Sequence, residues 1–332
     1  MPDITIKKIF VCEFITAGGF NHADLTENLV REGELMRDAL LHDLSHLPYY
    51  ITTTVDARLI KPKYCHDYIE INADDDVWQI WAQQISQAEA VWLIAPETDG
   101  LLKKLTQLAV LQGKLVLGCG LASIEVFSFK MASYLALTNA KIPTISTYNF
   151  QNWLNMDGKW VVKPDDGAGC SETLYFEQAH AITDWFLTHN KANTHVIQPY
   201  IEGIAASISC VMHDGFAHML SCNKQLIAME NGAFNYAGSQ INGMQHYWDA
   251  FELLAQNIAE CNMDLNGYIG IDVIITPDDE IVVVEINPRL TTSYAGLAQA
   301  IGQNPAALMM NTLTQADFKW PALQRQVVDI YV

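Results

Sequence analysis

The stretch Gly267–Arg289, GYIGIDVIITPDDEIVVVEINPR, limits what this chain can fold into more than any other. Ile269, Ile271, Val273 and Ile275 alternate with the opposite face, Pro277-Asp278-Asp279 is a turn, and Ile281–Ile286 is a second apolar run. That pattern predicts a β-hairpin. Two strands paired through the turn bring Asp272 close to Glu285, while Glu285 and Asn287, two residues apart, share a face. Two carboxylates and one amide oxygen on one sheet face suit Mg²⁺, or Mn²⁺ in its place, because hard cations take oxygen ligands and share them with phosphate. The alternative is an acidic hairpin face turned to water, and the hairpin alone leaves both open.

A chain of 332 residues has material for two or three domains. Half of the residues are hydrophobic and no tract is of low complexity, which predicts an ordered globular protein. No apolar run reaches the roughly 18 residues of a membrane span, and the opening MPDITIKKIFVCEF is interrupted too soon for a secretory signal, so the expected place is the cytoplasm. A net charge of −19 argues against nucleic acid or an anionic membrane as partner. An anionic nucleotide would bind only where lysine, arginine and metal locally outweigh that field. The seven cysteines are scattered without a C-x-x-C pair, so Cys12, Cys119 and Cys210 read as core residues and zinc is not expected.

From about residue 5 to residue 128, strand and helix patterns alternate. Lys8–Ile15 reads as a strand ending in the permissive loop Thr16-Ala17-Gly18-Gly19, after which Leu25, Leu29, Met36 and Leu40 recur at helical spacing. Tyr49–Val55 and Asp67–Ile71 read as further strands. Ala90–Ala95 and Leu115–Cys119 are continuous apolar runs of the kind a parallel sheet buries on both faces, with the helix Leu101–Gln112 between them. The expected fold class here is an open α/β domain, which binds ligands beyond the carboxyl ends of its strands. That edge would hold Glu13, the Gly18-Gly19 loop and Pro96-Glu97-Thr98-Asp99. Glu13 is a candidate for an amino group, or an ordinary polar residue on an edge strand. Arg31 and Glu34 follow early on the first helix.

Ser128–Thr138 reads as a short helix with Lys130 in its first turn, where a cation opposes the helix dipole. Phosphate binding would account for it, as would plain exposure to water. Trp160-Val161-Val162-Lys163-Pro164 is a strand carrying a lysine, and Asp165–Ser171, DDGAGCS, follows it. In that loop Gly167, Ala168, Gly169 and Ser171 can turn backbone N–H groups toward phosphate oxygens. Neither G-x-x-x-x-G-K-[ST] nor a G-x-G-x-x-G after the first strand occurs. Beyond the helix Gln178–His189, the strand in HVIQPYIEG ends in Gln198-Pro199-Tyr200-Ile201, which can offer backbone groups to an adenine edge and apolar cover above it. Ala206–Met212, Phe216–Cys222 and Gln225–Met229 read as strands of an antiparallel α+β layer, covered by a helix that Trp248, Phe251, Leu254, Ala255 and Ile258 mark. Asn231–Gln245 reads as a loop that, with Ser293 and Tyr294, would shape a substrate pocket.

Lys130, the VVKP strand with its glycine loop, the IQPYIEG connector and Asp272…Glu285-Ile286-Asn287-Pro288-Arg289 occur in this order over about residues 125 to 295. Together they resemble the ATP-grasp ligases. The resemblance implies an ATP-grasp fold behind an N-terminal open α/β, pre-ATP-grasp, domain. It divides the chain into a substrate domain at 1–127, a small lobe with the glycine loop at 128–198 and a C-terminal lobe with the metal site at 199–332. It further implies ATP with Mg²⁺ as cofactors: the metal on Asp272, Glu285 and Asn287, the phosphates on Lys130 and Lys163, the adenine on the connector. More narrowly, EFITAGGF…EGELM, the SCNKQ segment at Ser221–Gln225 and EINPRLTTSY are similar to the tyramine–glutamate ligase group of methanofuran-type cofactor synthesis. Two departures stand out. Ile204-Ala205-Ala206 occupies the place where family members usually carry an acid for the ribose, leaving Glu202 or another group to serve. Gly270 stands where some ligases have an arginine, leaving Arg289 as the charge stabiliser.

The implied reaction joins a carboxylate, glutamate, to an amine, tyramine or tyrosine, through an acyl phosphate. Its partners would be these small molecules, and a homodimer is left open. A non-catalytic nucleotide sensor, and a ligase for another amino acid, dipeptide or poly-glutamate chain, are the competing readings.

Overall fold

A computed structural model of the protein describes residues 6–154, 156–167, 169–170 and 172–332. Its first sheet is wholly parallel, with strands β1 (Lys8–Glu13), β2 (Tyr50–Asp56), β3 (Asp67–Ile71), β4 (Ala90–Ile94) and β5 (Leu115–Val116) in the order β3-β2-β1-β4-β5. Helices α1 (Glu27–Ser45), α2 (Val77–Ser86) and α3 (Leu101–Leu111) are the crossovers that parallel strands require. On α1, Met36, Leu40, Leu41 and Leu44 are buried at three- and four-residue spacing and pack with Ile9, Val11 and Trp92 of the sheet.

Two details depart from expectation. β1 lies in the middle of the sheet, so Glu13 is not on an edge strand. The strand also stops at Glu13, and Ile15–Gly19 winds into one π-helical turn where an extended Ile15 was expected. The cause is Glu13 itself, whose carboxylate accepts from Thr16 N (2.8 Å), Thr16 Oγ1 (2.7 Å) and Ile15 N (3.3 Å).

The chain then passes through α4 (Leu121–Phe127) and α5 (Lys130–Asn139) into a ten-stranded sheet. Its strands are β6 (Tyr148–Asn149), β7 (Trp160–Pro164), β8 (Leu174–Phe176), β9 (His195–Pro199), β10 (Ile204–His213), β11 (Phe216–Glu230), β12 (Ala233–Ile241), β13 (Gly267–Ile275), β14 (Ile281–Asn287) and β15 (Val328–Tyr331). The path runs β14-β13-β10-β11-β12-β8-β7-β9-β6, with β15 on β12. β6 to β9, covered by α6 (Ala179–His189), enclose a small core of their own around Trp153, Trp160, Ile182 and Phe186. Among the described residues one ladder pair, Ala233↔Leu174, joins them to the larger half, flanked by the backbone bonds Tyr175 N to Gly232 O (2.7 Å) and Phe234 N to Thr173 O (3.1 Å).

The larger half corrects two expectations. β11 is one 15-residue strand, not two, bent by a bulge at Leu226/Ile227. Most of the expected loop 231–245 is the strand β12. Asn231 and Gly232, both at positive φ, make the two-residue turn that leads into it, a turn type that Asn-Gly favours. Gly238, at φ 132, lies opposite β15, and a Cβ there would collide with the carbonyl oxygen of Ile330. α7 (Trp248–Cys261) packs its buried Trp248, Phe251, Leu254, Ala255 and Ile258 on this half, as expected.

The predicted hairpin is present. β13 and β14 pair with Asp272 opposite Glu285 and Gly270 opposite Asn287, and a bulge follows Asp272. β13 pairs on its other edge with β10, and residues 143–145 run along β14, where Val283 N donates to Pro143 O (2.9 Å). The two sheets are stitched together by polar contacts, one of them fully buried. Asp264 Oδ2 accepts from Ser123 N (3.0 Å), and Tyr294 Oη donates to Asp43 Oδ2 (2.7 Å). Among the described residues no helix is long and apolar enough to cross a membrane.

Candidate active site

A cleft lies between the small and large halves of the second sheet, and α1 of the first closes one end. The hairpin supplies its acidic floor. Gln225 Nε2 donates to Asp272 Oδ1 (2.8 Å) and Asn287 Nδ2 to Asp272 Oδ2 (3.1 Å), so both flanking amides hold this carboxylate. Burial and the neighbouring Glu285 push Asp272 up to about 7. Burial also acts to raise Glu285, but the charges of Lys130, Lys163 and Arg289 outweigh it and keep its pKa below the usual range. A carboxylate pair of which one member resists ionisation is short of positive charge.

The lysines come from opposite directions. Lys130 opens α5, and its ammonium donates to Gly167 O (2.6 Å) and pairs with Glu285 Oε2 (3.4 Å). Asp165 offsets the unfavourable first-turn cation: its backbone O accepts from Lys130 N (2.9 Å) and its Oδ1 from Met131 N (2.8 Å). Lys163 projects from β7 and is buried, and burial pulls it down to about 8, with Glu285 opposing and Lys130 adding. Gly169 and Cys170 line the cleft beside it. Ala168 and Ser171, expected to offer amides to phosphate, lie outside the described residues.

The donor set fits Mg²⁺. Among the described residues no three His, Cys, Asp or Glu side chains converge as a metal cage. Two carboxylates and the Asn287 amide instead leave room for phosphate oxygens, the mode Mg²⁺ favours over an all-protein cage. The opposite end of the cleft is apolar. Gln198, Pro199, Tyr200 and Ile201 line it with Ile145, Val161, Ile227 and Val284, and Tyr200 meets Tyr175 edge-on (5.1 Å) and stacks with Phe234 (6.4 Å). Gln198 Nε2 is anchored on Thr147 Oγ1 (2.9 Å). A flat heterocycle fits such a slot. Glu202 is a correction: it is exposed and does not line the cleft.

The end nearest the first sheet differs from expectation. Arg289 lines the cleft, but Glu97 clamps it through Nε to Oε1 and Nη2 to Oε2, both 2.9 Å, and Nη1 donates to Leu290 O (3.1 Å). A guanidinium has five N–H donors, so these three bonds leave two for a ligand. Ser293 lines the same end and approaches Ser239 Oγ (3.4 Å); Tyr236 Oη bonds Ser239 Oγ (2.6 Å) and Thr292 Oγ1 (2.9 Å). Glu13, Gly18 and Gly19 do not reach it. Glu13 is consumed by the turn it caps, Gly18 abuts Ile71 and Gly19 abuts Phe14.

Glu32, Met36, Gln225 and Tyr236 are among the cleft residues that escaped the sequence reading. Glu32 and Met36, one turn apart on α1, line the cleft, whereas Glu34 faces Arg37 (3.8 Å) and Arg31 reaches Tyr331 O (3.4 Å). Gln225 and Tyr236 were read only as part of a segment and a loop. Glu32 carried a signal: it continues the helical spacing of Leu25, Leu29, Met36 and Leu40, a charge inside an apolar stripe.

Residues 127–293 match the ATP-grasp domain family, and residues 49–124 match the pre ATP-grasp 3 domain family. A tyramine–L-glutamate ligase of Methanocaldococcus fervens is 28% identical over 300 residues, 87% of this chain and 89% of that protein. One of Methanocaldococcus jannaschii is 26% identical over 305 residues, 89% of this chain and 86% of that protein. Among solved structures, an ATP-grasp superfamily protein from Archaeoglobus fulgidus superposes with TM-score 0.73 at 23% identity, covering 98% of this chain and 99% of that one. The biotin carboxylase domain of Hydrogenobacter thermophilus 2-oxoglutarate carboxylase, solved with MgADP, gives TM-score 0.74 at 11% identity over 97% and 73% of the two chains. These last two likenesses concern the fold alone.

Proposed function

The chain belongs to the ATP-grasp family of ligases, and from that premise we propose that it joins glutamate to tyramine, or to tyrosine, through an acyl phosphate made from ATP. One observation carries the reading: the Asp272–Glu285 pair, short of positive charge, sits with Lys130 and Lys163 beyond the end of an apolar slot. That order, flat apolar slot, then cations, then oxygen ligands, is the order of the parts of a nucleotide triphosphate with its metal. The choice of substrates rests on the two tyramine–L-glutamate ligases that this chain resembles along most of its length. The product would then belong to methanofuran-type cofactor synthesis.

In this reading Tyr200, Ile201 and Phe234 hold the base, and the division at 1–127, 128–198 and 199–332 separates acceptor, lid and metal functions. Lys130 and Lys163 neutralise phosphate oxygens, and Asp272, Glu285 and Asn287 hold Mg²⁺. Bound there, the metal would supply positive charge that offsets the charge developing in transfer. The carboxylate substrate attacks the γ-phosphorus, an O–P bond forms, and the bond to the β-phosphate oxygen breaks with ADP leaving. The amine, as its free base, then attacks the acyl carbon, a C–N bond forms, phosphate leaves with the electrons of the C–O bond, and the nitrogen's proton passes to solvent or to the departing phosphate. Arg289, its orientation set by Glu97, presents its two remaining donors to the carboxylate or to the developing oxyanion. Gly167, whose carbonyl is held by Lys130, and Gly169, which lines the cleft, flank the phosphates and help keep water from the acyl phosphate.

The test is phosphate release from Mg-ATP with an array of amino acids and amines, with and without glutamate. Release that requires glutamate together with tyramine or tyrosine supports the reading. Release with another pair keeps the ligase and moves the substrate. Nucleotide binding without turnover for any pair favours a sensor.

A further inference from the structure

Nearly every charged group of the cleft has a partner in view. Lys130 meets Glu285, Arg289 is clamped by Glu97, and Asp272 is held by Gln225 and Asn287. Lys163 lies in the field of Glu285 and Asp272, where phosphate and metal would gather. Among the carboxylates of the cleft Glu32 is the exception. It lines the cleft from α1, only partly exposed, and among the described residues no hydrogen bond or ion pair reaches its carboxylate. The guanidinium in its field is that of Arg289, two of whose N–H groups are already taken by Glu97.

We propose that Glu32 is the anchor for the ammonium group of the amine substrate, with Met36, one turn along α1, against that amine's apolar body. The proposal rests on the ligase reading and assigns its acceptor subsite. Three features of the cleft lead to it. A carboxylate in a wall that is partly closed to water needs hydrogen-bond donors or a cation, and among the described residues no donor reaches Glu32, which leaves the cation. Burial raises the Glu32 carboxyl, with Glu13 adding and Arg289 opposing, so an arriving ammonium meets a group that lacks compensation. Finally, charge sorts the two substrates. Glutamate, with two carboxylates to one ammonium, is drawn toward the lysines and the free donors of Arg289, while tyramine, a cation with no carboxylate, is repelled there and drawn to Glu32. Met36 is buried on the same face as Glu32, and a thioether packs well against an aromatic ring. The hydroxyl set of Tyr236, Thr292 and Ser293 lines the same end and can meet a polar tip on the amine's body.

The experiment separates acid activation from amine capture. Wild type, Glu32→Gln and Glu32→Asp are compared as full chains with Mg-ATP and glutamate. In one assay hydroxylamine, small and neutral at pH 7, traps the activated acid as a hydroxamate. In the other, phosphate release is followed against tyramine concentration. For Glu32→Gln, hydroxamate formation should stay within about twofold of wild type, while the KM for tyramine rises about 10- to 100-fold, the loss expected for a charged hydrogen bond. Glu32→Asp, which keeps the charge on a shorter arm, should fall between. A tyramine KM within twofold of wild type in Glu32→Gln overturns the proposal, as does a parallel loss of hydroxamate in that variant with its melting curve unchanged. If the wild type traps no hydroxamate, the ligase reading fails by itself. Calorimetric titration of tyramine then decides the subsite alone: tenfold weaker binding to Glu32→Gln upholds it, and equal binding overturns it.

Discussion

Lys163 and Glu285 sit on different strands and meet only in the cleft, so each can be removed without unpicking a ladder. Lys163→Ala and Glu285→Ala should each lower ligation turnover by at least about 10²-fold, the usual cost of losing a preorganised charge at a transferring group. Turnover like the wild type's in either variant, measured as phosphate release with both substrates, would remove these residues from the site. Asp272 gives a pH signature. Its folded-state value of about 7 lies above the roughly 3.9 of an unfolded aspartate. Between those values the folded chain binds more protons than the unfolded one, so this group's contribution to stability falls as pH rises from about 4 to 7. Mg²⁺ needs the ionised form, so the rise in melting temperature caused by Mg²⁺ should be larger at pH 8 than at pH 6, and Asp272→Asn should flatten that difference. At this scale the sequence was readable wherever chemistry and spacing coincide, as in Asp272, Glu285, Asn287 and the two lysines. It was silent on pairings across the chain. Nothing near Arg289 announces Glu97, which lies in a loop of the other domain's sheet, after β4, and Glu13 looked available because its own turn was not foreseen.

Glu97 belongs to the loop after β4, and Arg289 follows β14, so their clamp fastens the first sheet to the hairpin. Both side chains are almost sealed from solvent, at 6% and 10% exposure. Removing one partner strands the other's charge, which typically costs about 3–5 kcal/mol. Urea unfolding of Glu97→Ala and Arg289→Ala should show losses of that order, and the double variant should lose less than their sum. The elements themselves were largely legible. β4 announced itself as a continuous apolar run and the hairpin as an alternation around a turn, whereas the run expected as a strand over Leu115–Cys119 gave only the two-residue β5. β12 did not, because Asn235, Gly238, Ser239 and Gln240 break its apolar pattern. Only Asn231-Gly232 pointed to a strand there, and a two-residue turn is easily lost in a polar stretch.

At the scale of the molecule, the small half of the second sheet has its own core and, among the described residues, one ladder pair to the larger half, so a bound nucleotide should add a link across the cleft. Mg-ATP at about 100 times its dissociation constant should stabilise the chain by about 2.7 kcal/mol, read as a rise in melting temperature. ATP with EDTA should give clearly less. The order of the two sheets could be read from the sequence, but their relation could not, since it depends on contacts such as Asp264 with Ser123 and Tyr294 with Asp43. The pairing of β15 with β12 has a historical side. Gly238 is the position at which a side chain would evict that strand, and the residues of β15 gain their partner only while position 238 stays bare. The two sites therefore share one evolutionary fate. In descendants of this chain, a larger residue at 238 should be found only where the strand at 328–331 has been lost or rebuilt, so that the two changes are inherited together.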